Sequence, residues 1–266
     1  MTVAGALAGR GAVVTGAGRG IGAAIAASLA AAGAHVVVAA RTAPEIETVA
    51  ASLRARDGKA WAVACDVADE AAVRTLGRRA VEFMETVDVL VNAAGDGGSA
   101  PFERITLENW RSMLEAHATG TFLCTRQFVP AMRERGFGRV VNVASVAGLE
   151  GGRYIAHYAA AKHAVVGFTR SVALELAGSG VTINALCPGY VDTPMTRRTI
   201  ANVVTRTGRT PEAALVSVLS SAKQERLLRP AEVAAAALEL CTEAGAGTNG
   251  KAIVLMPKGD ACISRS

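Results

Sequence analysis

Short runs of consecutive apolar, largely β-branched residues alternate along this chain with longer alanine-rich stretches. The short runs predict seven strands, at 12–15, 35–39, 61–64, 87–91, 139–143, 181–186 and 252–255. Six of the seven are followed by segments of helical character, and no Pro/Gly/Ser-rich linker or internal repeat interrupts the series. Alternation of this kind implies parallel strands, because each return crossover needs a helix to carry the chain back. The expectation is one doubly wound α/β domain over residues 1–266, a seven-stranded parallel sheet flanked by helices.

Composition leaves that picture intact. The chain has 266 residues, 51% hydrophobic and 19% charged, long enough for a substantial core and too apolar for disorder. Residues 23–40 carry no formal charge and are long enough to suggest a membrane span. The favoured reading is an alanine-rich helix ended by Gly33 and a valine strand opened by His35. The N-terminus shows neither a charged n-region nor a long apolar h-region, so no secretory signal is expected. Cysteines stand at 65, 124, 187, 241 and 262, an odd number without CxxC spacing. Buried, reduced thiols in a cytoplasmic protein are the expectation.

The unusual polar and glycine-rich stretches cluster just past the strands. TGAGRGIG (15–22) follows the first strand, Arg41 the second, CDV (65–67) the third and NAAG (92–95) the fourth. Ser145 follows the fifth and CPGYVDTP (187–194) the sixth. In open α/β sheets, ligands bind beyond the carboxyl ends of the strands, so this register points to one site. Glycines between a strand and a helix let the chain turn tightly and let a pyrophosphate approach the backbone at a helix N-terminus. The spelling here is GxxxGxG, with Gly16, Gly20 and Gly22. Gly18 and Arg19 lie inside the turn, and Ile21 stands where the third glycine of GxGxxG would be.

On these motifs the chain resembles the short-chain dehydrogenase/reductase family from about residue 8 to 255, and specifically its ketoreductases. TGxxxGxG, NAAG, Ser145, YxxxK and PGxVxT appear in the family's order and spacing. The resemblance implies a Rossmann-type domain that binds NAD(P) and a homo-oligomer, a tetramer or dimer. It implies cofactor contacts from the glycine turn, from Asn92, Ala93 and Gly95, and from Asp66 and Val67 beside the adenine. It also implies that Pro188, Gly189, Val191 and Thr193 cover the nicotinamide.

NAD-using enzymes place an acidic residue at the end of the second strand to accept from the ribose 2′-OH. Here that position is Ala40, followed by Arg41, with Arg19 on the same side. Two guanidiniums and no carboxylate suit a 2′-phosphate, so NADP(H) is favoured over NAD(H); two solvated arginines are the alternative.

YAAAK places Tyr158 and Lys162 on one face of a helix, with Ser145 thirteen residues earlier. Hydride reduction of a ketone needs a proton for the emerging alkoxide. Bringing a tyrosine from pKa ~10 to about 7 needs roughly 4 kcal/mol of differential stabilisation of the phenolate. A nearby ammonium and the cation of the oxidised nicotinamide can supply it in a shielded site. Tyr158 is the expected general acid/base, Lys162 its electrostatic partner, and Ser145 the donor that polarises the carbonyl. The resemblance also implies that Lys162 binds the nicotinamide ribose.

The chain departs from the family at two places. The fourth catalytic residue is usually an asparagine seven residues beyond a tryptophan, holding a water that links the lysine to solvent. Counting from Trp110 reaches His117. Histidine can donate and accept, so the relay survives with a new pH dependence near neutrality, or is impaired, or the ring only packs. His157 reads as a pocket-wall or helix residue. The C-terminus reads LMPKG (255–259) where the family often has a DGG-like turn, which bears on oligomer contacts rather than catalysis.

Residues 155–177 are apolar around more than one stripe, which calls for a second subunit as cover. The net charge of +5 sits wholly between residues 195 and 230, where Arg197, Arg198, Arg206, Arg209, Lys223, Arg226 and Arg229 face only Glu212 and Glu225. No aromatic residue lies there for a base to stack on, which argues against nucleic acid. By resemblance the segment is a substrate lid. Its charge suits an anionic substrate such as a β-ketoacyl-CoA or an acyl chain on an acidic carrier protein, and solvated helix faces are the alternative. Glu150 and Arg153 are candidate pocket residues. The sequence is therefore read as an NADP-dependent reductase of a β-ketoacyl thioester or similar ketone. Alternatives are a dehydrogenase of a cyclic or secondary alcohol, and a nicotinamide-binding sensor or scaffold without turnover. No metal and no membrane partner are expected.

Overall fold

A computed structural model describes residues 5–258 and 261–265. In chain order the first half runs β1 (Gly11–Thr15), α1 (Gly20–Ala31), β2 (His35–Ala40), α2 (Ala43–Arg54), β3 (Ala60–Ala64), α3 (Glu70–Met84) and β4 (Val89–Asn92). It continues with α4 (Leu107–Leu114), α5 (Gly120–Glu134), β5 (Gly138–Val143), α6 (Ala156–Glu175) and β6 (Val181–Pro188). The last elements are α7 (Pro194–Thr207), α8 (Pro211–Ser221), α9 (Pro230–Cys241), β7 (Ala252–Lys258) and β8 (Ala261–Arg265).

The sheet order is β3-β2-β1-β4-β5-β6-β7-β8. The seven expected strands are all present and pair in parallel. β8 is an addition to the sequence reading, an edge strand antiparallel to β7. Two residues separate β7 from β8, too few for a crossover, so antiparallel return is the available pairing.

Alternate residues of each strand feed opposite faces. Val14, Val38 and Val91 pack with Ile25 and Leu29 of α1 and Val233 and Ala237 of α9. Val13, Val37 and Leu90 pack with Leu76 of α3 and Phe128 and Met132 of α5. Residues 23–40 divide as expected: α1 ends before Gly33, whose φ of +93° L side chains rarely adopt, and β2 follows. Among the described residues no helix is long and apolar enough to cross a membrane. Cys65, Cys124, Cys187 and Cys241 are buried and free, while the side chain of Cys262 lies outside the described residues.

The topology sets the position of the site. The first three strands step outward from β1, and α3 then returns the chain to its other side as β4. The segments leaving β1 and β4 diverge, which opens a crevice at their carboxyl ends. Thr15 ties the crevice floor together, since its Oγ1 accepts from the N–H groups of Ala93 (3.2 Å) and Ala94 (3.3 Å).

Candidate active site

A cleft of about 1750 Å³ runs along the carboxyl edge of the sheet. Its first wall is the turn between β1 and α1. A Cβ on Gly16 would lie 2.5 Å from the Ala93 carbonyl oxygen, and one on Gly22 would lie 2.3 Å from the Gly16 oxygen. Gly16 and Gly20 have φ of +64° and +58°. Only glycine fits these positions, and the result is a wall of bare backbone. α1 begins without a side-chain cap, which leaves its first N–H groups for an anion. The arrangement fits the pyrophosphate of a dinucleotide. Gly18, Arg19 and Ile21 line the same wall.

Arg41, Asp66 and Val67 line the far end of the cleft, and Ala93 and Gly95 line its floor. Pro188, Gly189, Val191 and Thr193 line the opposite side. Thr193 caps α7 by accepting from the Thr196 N–H at 3.3 Å. The loop bearing these residues is held from behind by buried Gln224, whose Oε1 accepts from the Tyr190 N–H at 2.7 Å. Gln224 had no sequence signal.

Asn92 needs a correction. Its side chain does not line the cleft but turns into the sheet, donating to Asn142 Oδ1 (2.9 Å) and Thr125 Oγ1 (3.2 Å). Asn92 and Asn142 face each other across the β4–β5 ladder, which gives the buried amide N–H groups their partners while the Asn92 Oδ1 has none. It anchors the start of the loop that carries Ala93 and Gly95.

The opposite end of the cleft holds Ser145, Tyr158 and Lys162. Ser145 follows β5, with Oγ accepting from the Ala147 N–H at 3.1 Å. Tyr158 and Lys162 are one turn apart on α6. Lys162 is buried and donates to the Val143 carbonyl at 2.7 Å, with its Nζ 5.8 Å from the Tyr158 ring centre. Burial pushes the Tyr158 hydroxyl up to about 12, aided by Tyr190 and Cys187 and opposed by its hydrogen bond to Ser145. Burial likewise lowers Lys162 to about 8. The chain by itself therefore keeps Tyr158 a neutral phenol, and lysine proximity alone does not bring it toward 7.

His117 joins these residues through an irregularity in the backbone. Between α4 and α5 the helix widens into a π-helical turn, Glu115–Thr119, a feature common at functional sites. The ring of His117 is buried, its Nε2 lies 2.7 Å from the Asp96 carbonyl oxygen, and it meets Tyr158 edge-on at 5.5 Å between centres. Nδ1 has no partner. A Cβ on Gly95 would fall 2.1 Å from His117 Cε1 and 2.4 Å from Nδ1, so only the bare backbone of Gly95 leaves room for that edge. Burial, then the Lys162 ammonium, lower the ring to about 3. The expected pH dependence near neutrality is thus corrected: the imidazole stays neutral there. His157 is buried behind Gly98 and is absent from the cleft lining.

The basic segment forms α7, α8 and the strand-like return of Leu228 onto Val191. Much of its charge is paired. Arg197 meets Asp192, Arg198 meets Asp96, and Arg226 and Arg229 share Glu232. Arg206 donates to the Ser99 carbonyl. Arg209 and Lys223 line the cleft mouth without an ion-pair partner among the described residues, as does Arg153 on the facing loop beside Glu150. Among the described residues no cluster of histidine, cysteine and carboxylate side chains is arranged to hold a metal.

Known proteins are similar to this chain in sequence and in architecture. The short chain dehydrogenase family profile matches residues 10–203. The 3-oxoacyl-[acyl-carrier-protein] reductase of Synechocystis is 43% identical over 186 residues, 70% of this chain and 75% of that protein. The monensin polyketide synthase putative ketoacyl reductase of Streptomyces virginiae is 38% identical over 244 residues, 91% of this chain and 94% of its own. A solved structure of an actinorhodin polyketide ketoreductase variant with NADPH superposes with a TM-score of 0.88 at 36% identity, covering 94% of this chain and 97% of the other. With its glycine turn, its parallel sheet and its serine, tyrosine and lysine at one end of the cleft, the chain belongs to the short chain dehydrogenase family, oxidoreductases acting on carbonyl and alcohol groups.

Proposed function

We propose that this protein reduces a ketone to a secondary alcohol with NADPH, and that the ketone is a β-ketoacyl thioester or a close relative. The observation that carries the reading is one continuous cleft, with an anion-binding glycine turn at one end and Ser145, Tyr158 and Lys162 at the other. The bound cofactor supplies a hydride. Backbone at 16–22 and the α1 N-terminus hold its pyrophosphate, Arg19 and Arg41 its 2′-phosphate, and the 188–193 loop its nicotinamide end.

Ser145 donates to the ketone oxygen and polarises it. As negative charge develops there, the Tyr158 hydroxyl delivers its proton, for which a neutral phenol is the required form. The Lys162 ammonium stabilises the phenolate left behind and is itself oriented by the Val143 carbonyl. His117 serves as a positioning residue: its Nε2–H holds Asp96 and its ring braces Tyr158. Arg153, Arg209 and Lys223 at the mouth attract an anionic thioester, in the free coenzyme A form or on a carrier protein. The protein acts as a single dinucleotide-binding domain with α7–α8 as its lid.

Two copies associate through α6. Ala164, Gly167 and Ser171 are exposed small residues on one side of that helix, ending at Leu174, which is 81% exposed. Only monomer in sedimentation at micromolar concentration would exclude this.

The primary test is NADPH oxidation with a β-ketoacyl-CoA as substrate. Activity in the wild type, lost in Tyr158→Phe with NADPH binding retained, supports the reading. Binding without turnover of any ketone or alcohol identifies a sensor instead. An anionic thioester whose KM rises with ionic strength supports the role of the basic mouth; a salt-independent KM removes it.

A further inference from the structure

Glu45 occupies a position that the cofactor reading leaves without a role. It sits in the first turn of α2 and lines the cleft beside Arg19 and Arg41. Its Oε1 accepts from Arg19 Nη1 at 3.0 Å. The rest of its side chain lies over the glycine turn, where a Cβ on Gly18 would meet Glu45 Oε2 at 2.9 Å and its Cβ at 3.1 Å. Gly18 thus leaves room for this carboxylate at the edge of the cleft. Arg41 has no ion-pair partner among the described residues.

We propose that Glu45 is a cofactor-specificity residue that restrains the preference for NADP(H), by competing with the 2′-phosphate for Arg19. The inference rests on the reading of Arg19 and Arg41 as 2′-phosphate ligands. A guanidinium can satisfy one carboxylate or one phosphate with the same pair of N–H groups. While Arg19 is paired to Glu45, a 2′-phosphate must displace that pair and then bear the repulsion of a carboxylate nearby. A cofactor with a free 2′-hydroxyl meets neither cost at the ribose, and any repulsion between the carboxylate and the pyrophosphate is common to both cofactors. Arg41 is not restrained in this way, so it provides the standing affinity and Arg19 the adjustable part.

The test measures dissociation constants of NADPH and NADH by fluorescence titration, for the wild type, Glu45→Gln, Arg19→Gln, Arg41→Gln and the variant combining Glu45→Gln with Arg19→Gln. Glu45→Gln keeps the side-chain length at a partly exposed position and removes the charge. The expected result is NADPH binding tightened three- to tenfold in Glu45→Gln with NADH changed less than twofold, and no tightening when Arg19 is also replaced. If Arg19→Gln weakens NADPH selectively while Glu45→Gln changes nothing, the role of Glu45 is overturned and the 2′-phosphate reading stands. If NADH weakens in Glu45→Gln, the carboxylate serves the ribose and the competition is overturned. If neither Arg19→Gln nor Arg41→Gln affects NADPH, the 2′-phosphate reading fails and takes this inference with it.

Discussion

His117 Nε2 lies 2.7 Å from the main-chain oxygen of Asp96, which joins the π-helical turn to the loop that leaves β4. The carboxylate of the same Asp96 meets Arg198 on α7. One residue thus holds the ring beside Tyr158 with its backbone and α7 with its side chain. The two bonds separate cleanly under mutation. Asp96→Asn keeps the carbonyl and weakens the ion pair, which is exposed and contributes about 0–1 kcal/mol to stability. The expected outcome in steady-state kinetics is a change in KM for the ketone several-fold larger than any change in kcat. A dominant loss of kcat would mean that the side chain, not the carbonyl, supports the catalytic end.

Gly95→Ala drives a methyl group into the His117 ring. Overpacking of this kind destabilises by about 1–3 kcal/mol, and urea unfolding should show it together with loss of activity. The clash is specific to one partner, so Gly95→Ala combined with His117→Ser should cost less than the sum of the two single changes. Simple additivity would show that the loop relaxes away from the ring.

The titration of His117 makes stability depend on pH in a stated direction. Its pKa is lowered from the ordinary 6.5 to about 3, by burial first and by Lys162 second. Below 6.5 the unfolded chain takes up a proton that the folded ring refuses. The contribution is therefore complete above pH 6.5 and is lost progressively as pH falls toward 3. Urea unfolding at pH 7.5 and 4.5 should show the wild type losing more stability between the two than His117→Asn. Equal losses would place a charged or hydrated ring in the folded protein.

Lys162 sets function against stability. Burial lowers it to about 8, so its amine is charged below that value and neutral above it. The kcat for reduction should be level between pH 6 and 7.5 and fall above 8 as the ammonium is lost; a level profile to pH 10 would remove Lys162 from the step. The depressed pKa also means that the stability it contributes is present above 10.5 and lost as pH falls through 8. At pH 7 the buried charge opposes folding, so Lys162→Met should abolish reduction and raise the melting temperature, by about 2–4 °C for each kcal/mol relieved.

The order of elements and the place of the site were legible without coordinates. Apolar runs such as VVVAA at 36–40 identify strands because a strand buried on both faces has no polar alternate positions. Gly16 and Gly22 mark the turn because a Cβ there would collide with backbone, and Gly20 because its φ is +58°. Both leave their mark in a few adjacent residues, although the collision that requires Gly16 is with Ala93 on the loop after β4. The spacing of Tyr158 and Lys162 also survives into the fold, since a helix keeps residues four apart on one face.

What the tertiary structure alone decided are the pairings between distant segments. The inward turn of Asn92 depends on Asn142 and Thr125 standing beside it. The partial neutralisation of the basic segment depends on Asp96, Asp192 and Glu232 coming within reach. The meeting of Glu45 with Arg19 depends on where α2 starts relative to the glycine turn. Titration belongs to the same class. Side-chain type alone suggested a His117 poised near neutrality, and burial moved it to about 3. Local sequence determines backbone conformation through sterics and periodicity, whereas charge and proton affinity are set by desolvation and by neighbours that only the fold brings together.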